Sequence, residues 1–394
     1  MQRLRLTHVL LVSSLLASML AGAGSSLLAV CGPFTDVAAD AFCPLVLEIF
    51  YLGITTGTTA TSFDPAGNVS RLQMAAFLSR TVDGTLKRGG KRAALKQFWT
   101  TQGGASLGVT TLGGAPPGQV ESDGTDLWVA VLPNRVQKVQ GSTGKILETW
   151  TGADGVADMV AAMGRMFAAG RTSPGRLYRI DPSQPAGSVT TVASTLGNTA
   201  IGIAFDGGRI WTTNVADNSP ASGSVSIVTP VAAIPWTVTN VSLGFNLPYG
   251  ILHDGTNIWV TDILAGTLLK LDSTGAVLQT VTVGNFPSVP VFDGANIWVP
   301  SQTANSVSVV RASNGVTLAT LTGNGLDGPN WPAFDGQRVL VTNYTGNSVS
   351  LWKAADLTTI GTFPTGPGTN PYGACSDGAG FWLILSTPNQ LARF

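Results

Sequence analysis

The chain has 394 residues with 22 basic and 22 acidic side chains, so its formal net charge is zero. Clustered positive charge, which a nucleic-acid binder needs to displace counterions, is absent from most of its length. With 44% hydrophobic residues it has material for a large core, which excludes general disorder. Its 48 glycines exceed the usual share of about 7% and point to a turn-rich architecture.

Residues 1–23 have the layout of an export signal. Arg3 and Arg5 precede an apolar stretch, Val9 to Leu20, interrupted only by serines, and Ala21-Gly22-Ala23 offers a cleavage site. No later stretch supplies about 18 uninterrupted apolar residues, so no transmembrane span is expected after cleavage. The expected location is outside the cytoplasm, secreted or held at the cell surface or envelope. In an oxidising compartment Cys31 and Cys43, twelve positions apart, can form a disulfide worth roughly 3 kcal/mol. Cys375, far from both, is expected to act as a small core hydrophobe.

Residues 31–82 form a small helical module. Leu45 to Leu52 is a helical apolar run ended by Gly53, and Gly57 to Gly67 is loop. Ser70 is the expected N-cap of a second helix whose Leu72, Ala75, Ala76 and Leu78 offer an apolar face. Helix, loop and helix in fewer than fifty residues bury too little to stand alone. Phe34-Thr35-Asp36-Val37, Gly53-Ile54-Thr55-Thr56-Gly57, Phe63-Asp64-Pro65 and Ser70-Arg71-Leu72-Gln73, in that order, resemble a single S-layer homology module. Two positions depart from that family: Phe42 stands where tryptophan is usual, and Gln73 where glutamate is usual. The resemblance implies attachment to an anionic cell-wall polymer, with Arg71 gripping acidic sugar substituents through its planar fork. The alternative for Arg71 is an ion pair with Asp36 or Asp64. Residues 83–104 follow as a basic linker, carrying Lys87, Arg88, Lys91, Arg92 and Lys96 around Gly89-Gly90. It is either a solvated tether or an aid in holding an anionic surface.

Residues 105–394 repeat. One copy runs from Pro248 through His253-Asp254-Gly255, Ile258-Trp259-Val260-Thr261-Asp262 and Thr267 to Leu271, ending in Val277 to Gly284. Each piece is a short β-branched or aromatic run bounded by turn residues, four per unit. The markers Trp128, Phe167, Trp211, Trp259, Trp298, Leu340 and Trp382 are spaced by 39, 44, 48, 39, 42 and 42 residues. Seven copies of about 42 residues predict an all-β, seven-bladed β-propeller of four-stranded blades, preceded by the small α-helical module. The seventh copy ends one strand short, and residues 107–112 occupy the position of that missing strand. Six Asp-Gly pairs begin at Asp123, Asp206, Asp254, Asp293, Asp335 and Asp377. One per blade, they cannot converge on an ion, and Asp-Gly is a hairpin signal.

Val341-Thr342-Asn343-Tyr344 with Asn347-Ser348-Val349-Ser350-Leu351, and Asn370-Pro371-Tyr372-Gly373, resemble the YVTN family of propellers. The virginiamycin B lyases are a related group, which raises a lyase or hydrolase as an alternative function. That group works with histidines, a glutamate and a magnesium ion. Here the only histidine after the signal is His253, and the propeller's only glutamates are Glu121 and Glu148. The sequence therefore gives no catalytic set, metal site or cofactor. Loops leading into the innermost strands instead carry Asn246 with Tyr249, Asn285 with Phe286, Asn330 with Trp331 and Asn370 with Tyr372, and Asn198 holds the comparable place in an earlier copy. Such residues suit an unknown glycan or protein ligand at one end of the ring, or simply shape turns. The first two copies depart, with Pro116-Pro117 and Asp154-Gly155. The sequence favours an exported, envelope-associated binding or scaffold protein. A structural surface-layer component is a further alternative.

Overall fold

The computed structural model describes residues 31, 33–38, 43–51, 55–78, 81, 108–113, 117–141, 143–215, 223–378 and 380–394. The expected signal, the basic linker, Phe42 and Gly53-Ile54 lie outside the described residues. The chain divides into two compact units, Met1–Arg88 and Gly89–Phe394.

In the first unit the helix Cys43–Tyr51 packs Val46, Leu47 and Phe50 around Phe34, Val37 and Phe63. The Phe34 ring meets Phe50 edge-on at 5.0 Å and Phe63 at 5.5 Å. Cys31 and Cys43 are joined as a disulfide at the margin of this cluster. Asp36 ties two motifs together: its carboxylate accepts from Ser62 Oγ at 2.7 Å and from the backbone N–H groups of Phe63 and Asp64. Those donors, the Phe63 amide foremost, lower its pKa to about 2. Residues 71–78 are helical, and their start is a reciprocal capping box. The Gln73 backbone donates to Ser70 Oγ, and the Ser70 backbone donates to Gln73 Oε1 at 2.8 Å. Gln73 thus supplies the acceptor that a glutamate would. The expected apolar face of this helix is not buried, since Leu72 is 84% and Leu78 61% exposed. The small cluster around Phe34 is already filled by the loop and the first helix, leaving this helix on the outside.

The second unit consists of seven antiparallel four-stranded sheets. Their innermost strands are Pro117–Ser122, Val156–Ala162, Ala200–Phe205, Pro248–His253, Val291–Phe292, Pro329–Phe334 and Pro371–Ser376, defining blades 1 to 7 in chain order. Blade 7 is finished by Gly108–Thr111, which pairs with Gln390–Arg393 in the register Gly108↔Arg393 to Thr111↔Gln390. The two ends of the repeat region thereby close the ring and leave no open blade edge between them.

All seven marker residues lie on second strands and are buried. In five blades the indole Nε1 donates to the carboxylate of the hairpin aspartate five residues earlier: Trp128 to Asp123, Trp211 to Asp206, Trp259 to Asp254, Trp298 to Asp293 and Trp382 to Asp377, at 2.7–3.0 Å. The other carboxylate oxygen takes turn amides, as Asp254 Oδ1 does from Thr256 and Asn257. One aspartate therefore closes the hairpin and satisfies a buried indole, which the Asp-Gly turn alone does not reveal. Blade 6 has Leu340 at the marker position. There Arg338 Nε takes the place of the indole on Asp335, and Trp352 from the next strand fills the space beside Trp298.

Six of the seven inner strands are bulged near their start, and in blades 3, 4 and 6 a second-strand threonine holds the bulge. Thr342 Oγ1 accepts from the Trp331 backbone at 2.9 Å and donates to the Tyr372 carbonyl of the next blade at 2.8 Å. Thr213 and Thr261 accept in the same way from Gly202 and Gly250. Asn343 and Asn214 then bridge paired serines on the third strand. The Val-Thr-Asn phrase is thus scaffold.

Candidate functional site

The seven inner strands surround a central channel. Where they begin lies a pocket of about 270 Å³, lined by Pro117, Gly118, Val156, Asn330 and Tyr372 from the strands and by Leu132, Arg171, Gln302, Tyr344 and Ser386 from loops after second strands. Arg171 is exposed and forms no ion pair or side-chain hydrogen bond with the described residues. Tyr344 and Tyr372 stand edge to face at 6.2 Å, and Tyr372 also meets Trp331 at 5.5 Å. A planar cation beside two phenol rings and two amides can grip a carboxylate or phosphate while stacking and hydrogen-bonding a hydroxylated body.

Of the expected residues, Asn330 and Tyr372 line this mouth. Asn330 is buried, and its Oδ1 accepts from Ser288 Oγ at 2.7 Å. Tyr249 comes from blade 4 and Tyr372 from blade 7, three blades apart, so their hydroxyls meet across the channel at 3.1 Å. Burial, then the neighbouring Tyr372, raise the Tyr249 pKa. Trp331 lies deeper and faces the opposite end. Asn370 spends its amide internally, donating to the Tyr344 carbonyl and accepting from Thr387. Asn198, Asn246, Asn285 and Phe286 are exposed and do not line the mouth. The repeated asparagines thus mostly shape loops, and Arg171 gives the mouth a charge that the repeat does not announce.

The channel's other end, where the inner strands run into the Asp-Gly hairpins, opens into a cavity of about 390 Å³. Every blade contributes to it. Ile203, Ile251, Val289, Trp331, Pro332 and Met159 give it apolar walls, with Gln119, Glu121 and Asp158 on one arc and His253 at the rim. The Asp158 carboxylate accepts from the backbone amides of Met159 at 2.9 Å and Ile203 at 3.3 Å. Burial nonetheless raises its pKa to about 7, against those amides, Gln119 and the positive Arg171. Burial, reinforced by the charge of Asp158, pushes Glu121 up to about 8, opposed only by the Ser122 amide. Cys375 is buried at the same wall, and burial with the nearby Glu121 raises its thiol pKa. It is unpaired and inert by these criteria. None of Gln119, Glu121, Asp158 or Arg171 belongs to a motif. What marks Gln119, Glu121 and Asp158 is a polar or charged residue where the other copies carry glycine, cysteine or an apolar side chain; Arg171 is the charged member of a loop position that elsewhere holds Leu132, Val215, Ile263, Gln302, Tyr344 and Ser386.

Arg71, in the first unit, is exposed at the start of helix 71–78 and forms no ion pair with the described residues. Asp36, one of its two expected partners, is engaged by the 62–64 loop instead.

Comparison with known families places a match to the S-layer homology domain on residues 33–75. Those residues are an S-layer homology domain. The ring resembles solved propellers. A catalytically inactive variant of virginiamycin B lyase from Staphylococcus aureus, with quinupristin, aligns with TM-score 0.60 and 16% identity over 72% of this chain and 97% of that one. A streptogramin B lyase aligns with TM-score 0.58 and 15% identity over 72% of this chain and 96% of that one. The WD40 propeller domain of Doa1 gives TM-score 0.58 at 11% identity, covering 73% and 95%. At such identities the likeness is one of fold. Among curated proteins nothing matches. The S-layer homology domain implies association with the cell surface or envelope, and no helix among the described residues is long and apolar enough to cross a membrane.

Proposed function

We propose that this is an exported binding protein held at the envelope by its S-layer homology domain, with the ring presenting a site for an acidic, hydroxyl-rich ligand such as a uronic-acid-containing glycan. The observation that carries this reading is Arg171, a guanidinium without an ion-pair partner among the described residues, in a mouth shared with Tyr344, Tyr372, Asn330 and Gln302. An arginine fork left open beside rings and amides is suited to an anionic guest, because it can grip a carboxylate bidentately while its neighbours contact the rest of the ligand. Attachment through Arg71 to an anionic wall polymer follows from the same chemistry in the first unit. The test is binding of oligogalacturonate to the full chain, compared with its methyl-esterified, uncharged counterpart. The acidic form should bind, and Arg171→Ala should weaken it by roughly tenfold or more, the value of one charge-assisted contact. Equal binding of both sugars, or no effect of the substitution, contradicts the reading.

A lyase or hydrolase is the second reading. Glu121 and Asp158, with raised pKa values, share their cavity with His253, the kind of perturbed set that acid–base chemistry uses. Turnover of a cyclic depsipeptide or glycan lost in His253→Ala would favour it.

A further inference from the structure

The cavity at the hairpin end of the channel is chemically one-sided. At the position of Gln119 and Asp158 the other inner strands have Gly202, Gly250, Val289, Trp331 and Gly373. At the position of Glu121 they have Val160, Ala204, Leu252, Val291, Ala333 and Cys375. Oxygen acceptors at these two positions are thus gathered on the arc of blades 1 and 2, while the other blades place glycine, hydrocarbon or the Cys375 thiol there.

Those acceptors are under-used. Gln119 is 2% exposed, lines the cavity, and its Oε1 has no hydrogen-bond partner among the described residues. Among the described residues Glu121 receives only the backbone amide of Ser122, while Asp158, 7% exposed, receives one backbone amide on each oxygen and the side chain of Gln119. A buried acceptor without a donor is destabilising, more so when it is charged, so such an arc favours a guest rich in donors. An ammonium group has three N–H donors and no acceptor, matching three acceptor groups.

Size and wall chemistry specify the remainder. About 390 Å³ is far more than a bare ion occupies, and among the described residues no group of three or more His, Cys, Asp or Glu side chains is arranged to hold a metal. The Ile203, Ile251, Val289 and Trp331 side chains would contact hydrocarbon. We propose that this cavity binds a primary ammonium ion carrying a short apolar body, its nitrogen held by Glu121, Asp158 and Gln119 Oε1 and its body against Ile203, Ile251 and Trp331. The raised carboxyl pKa values fit a site waiting for positive charge, and binding would displace protons from the pair. Other charged or titratable groups bearing on the arc are few. Arg171, from the mouth side, opposes a cation; Tyr249, whose pKa is raised by burial and in part by Asp158, and Cys375 are neutral; His253 stands at the rim.

The experiment is calorimetric titration of the full chain with n-hexylamine near pH 7, in two buffers of different ionisation heat, with 1-hexanol as the uncharged control. The amine should bind with release of protons to the buffer, and the alcohol roughly tenfold or more weakly. Glu121→Gln, which keeps side-chain shape, should lose that preference and the proton release. Asp158→Asn is the second variant and should weaken the amine likewise. Arg171→Ala should leave amine binding intact or strengthen it while it weakens oligogalacturonate, which separates this site from the mouth. Equal affinity for amine and alcohol, or an undiminished amine preference in both acid variants, overturns the proposal.

Discussion

Blades 3 to 7 and blades 1 to 2 share one architecture and differ in what they put into the channel. Asp-Gly with a bonded marker tryptophan recurs in blades 1, 3, 4, 5 and 7, and a second-strand threonine recurs in blades 3, 4 and 6; those repeated polar groups bond within the scaffold: aspartate to indole, threonine to bulge, asparagine to serine. The first two blades interrupt the repeat and supply Gln119, Glu121, Asp158 and Arg171, the charged or under-satisfied groups of the channel. In a repeat protein, a residue copied in every unit must serve what every unit needs, which is folding. Chemistry particular to one place belongs to the residues that are not copied.

That division can be broken by experiment, beginning where the effect is largest. Trp259→Ala, in a regular blade, removes a buried ring bonded to Asp254 and should cost about 3–5 kcal/mol in urea unfolding. A loss below about 1 kcal/mol would mean that the repeated core residues are not what holds the ring. Thr342→Val leaves the buried Trp331 amide without its acceptor, and about 1–3 kcal/mol should disappear from the same measurement.

Glu121 gives an effect of opposite sign. Its folded pKa, about 8, exceeds its ordinary 4.5, so between those values the folded chain holds a proton that the unfolded chain has released. Stability should therefore fall as pH rises from about 4.5 to about 8 and level off above, with Asp158 contributing over about 4 to 7. Glu121→Gln should flatten that decline and melt higher than the parent at pH 8. A parent whose melting temperature is constant over this range would show that the carboxyl is better solvated than its surroundings suggest. The smallest change in stability is expected for Arg171→Ala, within about 0.5 kcal/mol, because the side chain is exposed and makes no ion pair with the described residues. A larger loss would make Arg171 part of the scaffold.

The architecture was legible because β-propellers write their period into the chain. Marker spacing, Asp-Gly hairpins and the fourth strand lacking from the seventh copy sufficed, and Gly108–Thr111 takes that strand's place. In the first unit, Ser70 and Gln73 make the capping box, while the apolar face anticipated on the following helix stays exposed. An apolar spacing records which residues share a face, and whether anything covers that face depends on the rest of the chain. The candidate site was largely hidden for a related reason. Asn370 and Asn330 look like ligand-facing amides in a loop, yet one bonds Tyr344 and Thr387 and the other Ser288. Trp331 and Tyr372, forty-one positions apart in the repeat, come into contact only once the ring closes its bulges. Glu121 and Asp158 lie on different strands, and only the closed ring buries them at one wall.

The most direct measurement is co-sedimentation of the full chain with purified cell envelopes, comparing the parent with Arg71→Ala and Arg171→Ala. The account predicts that the parent pellets, that Arg71→Ala stays in the supernatant, and that Arg171→Ala pellets like the parent because the anchor is intact. If Arg71→Ala still pellets while Arg171→Ala is released, the ring is the attachment site and the division of labour between the two units is reversed.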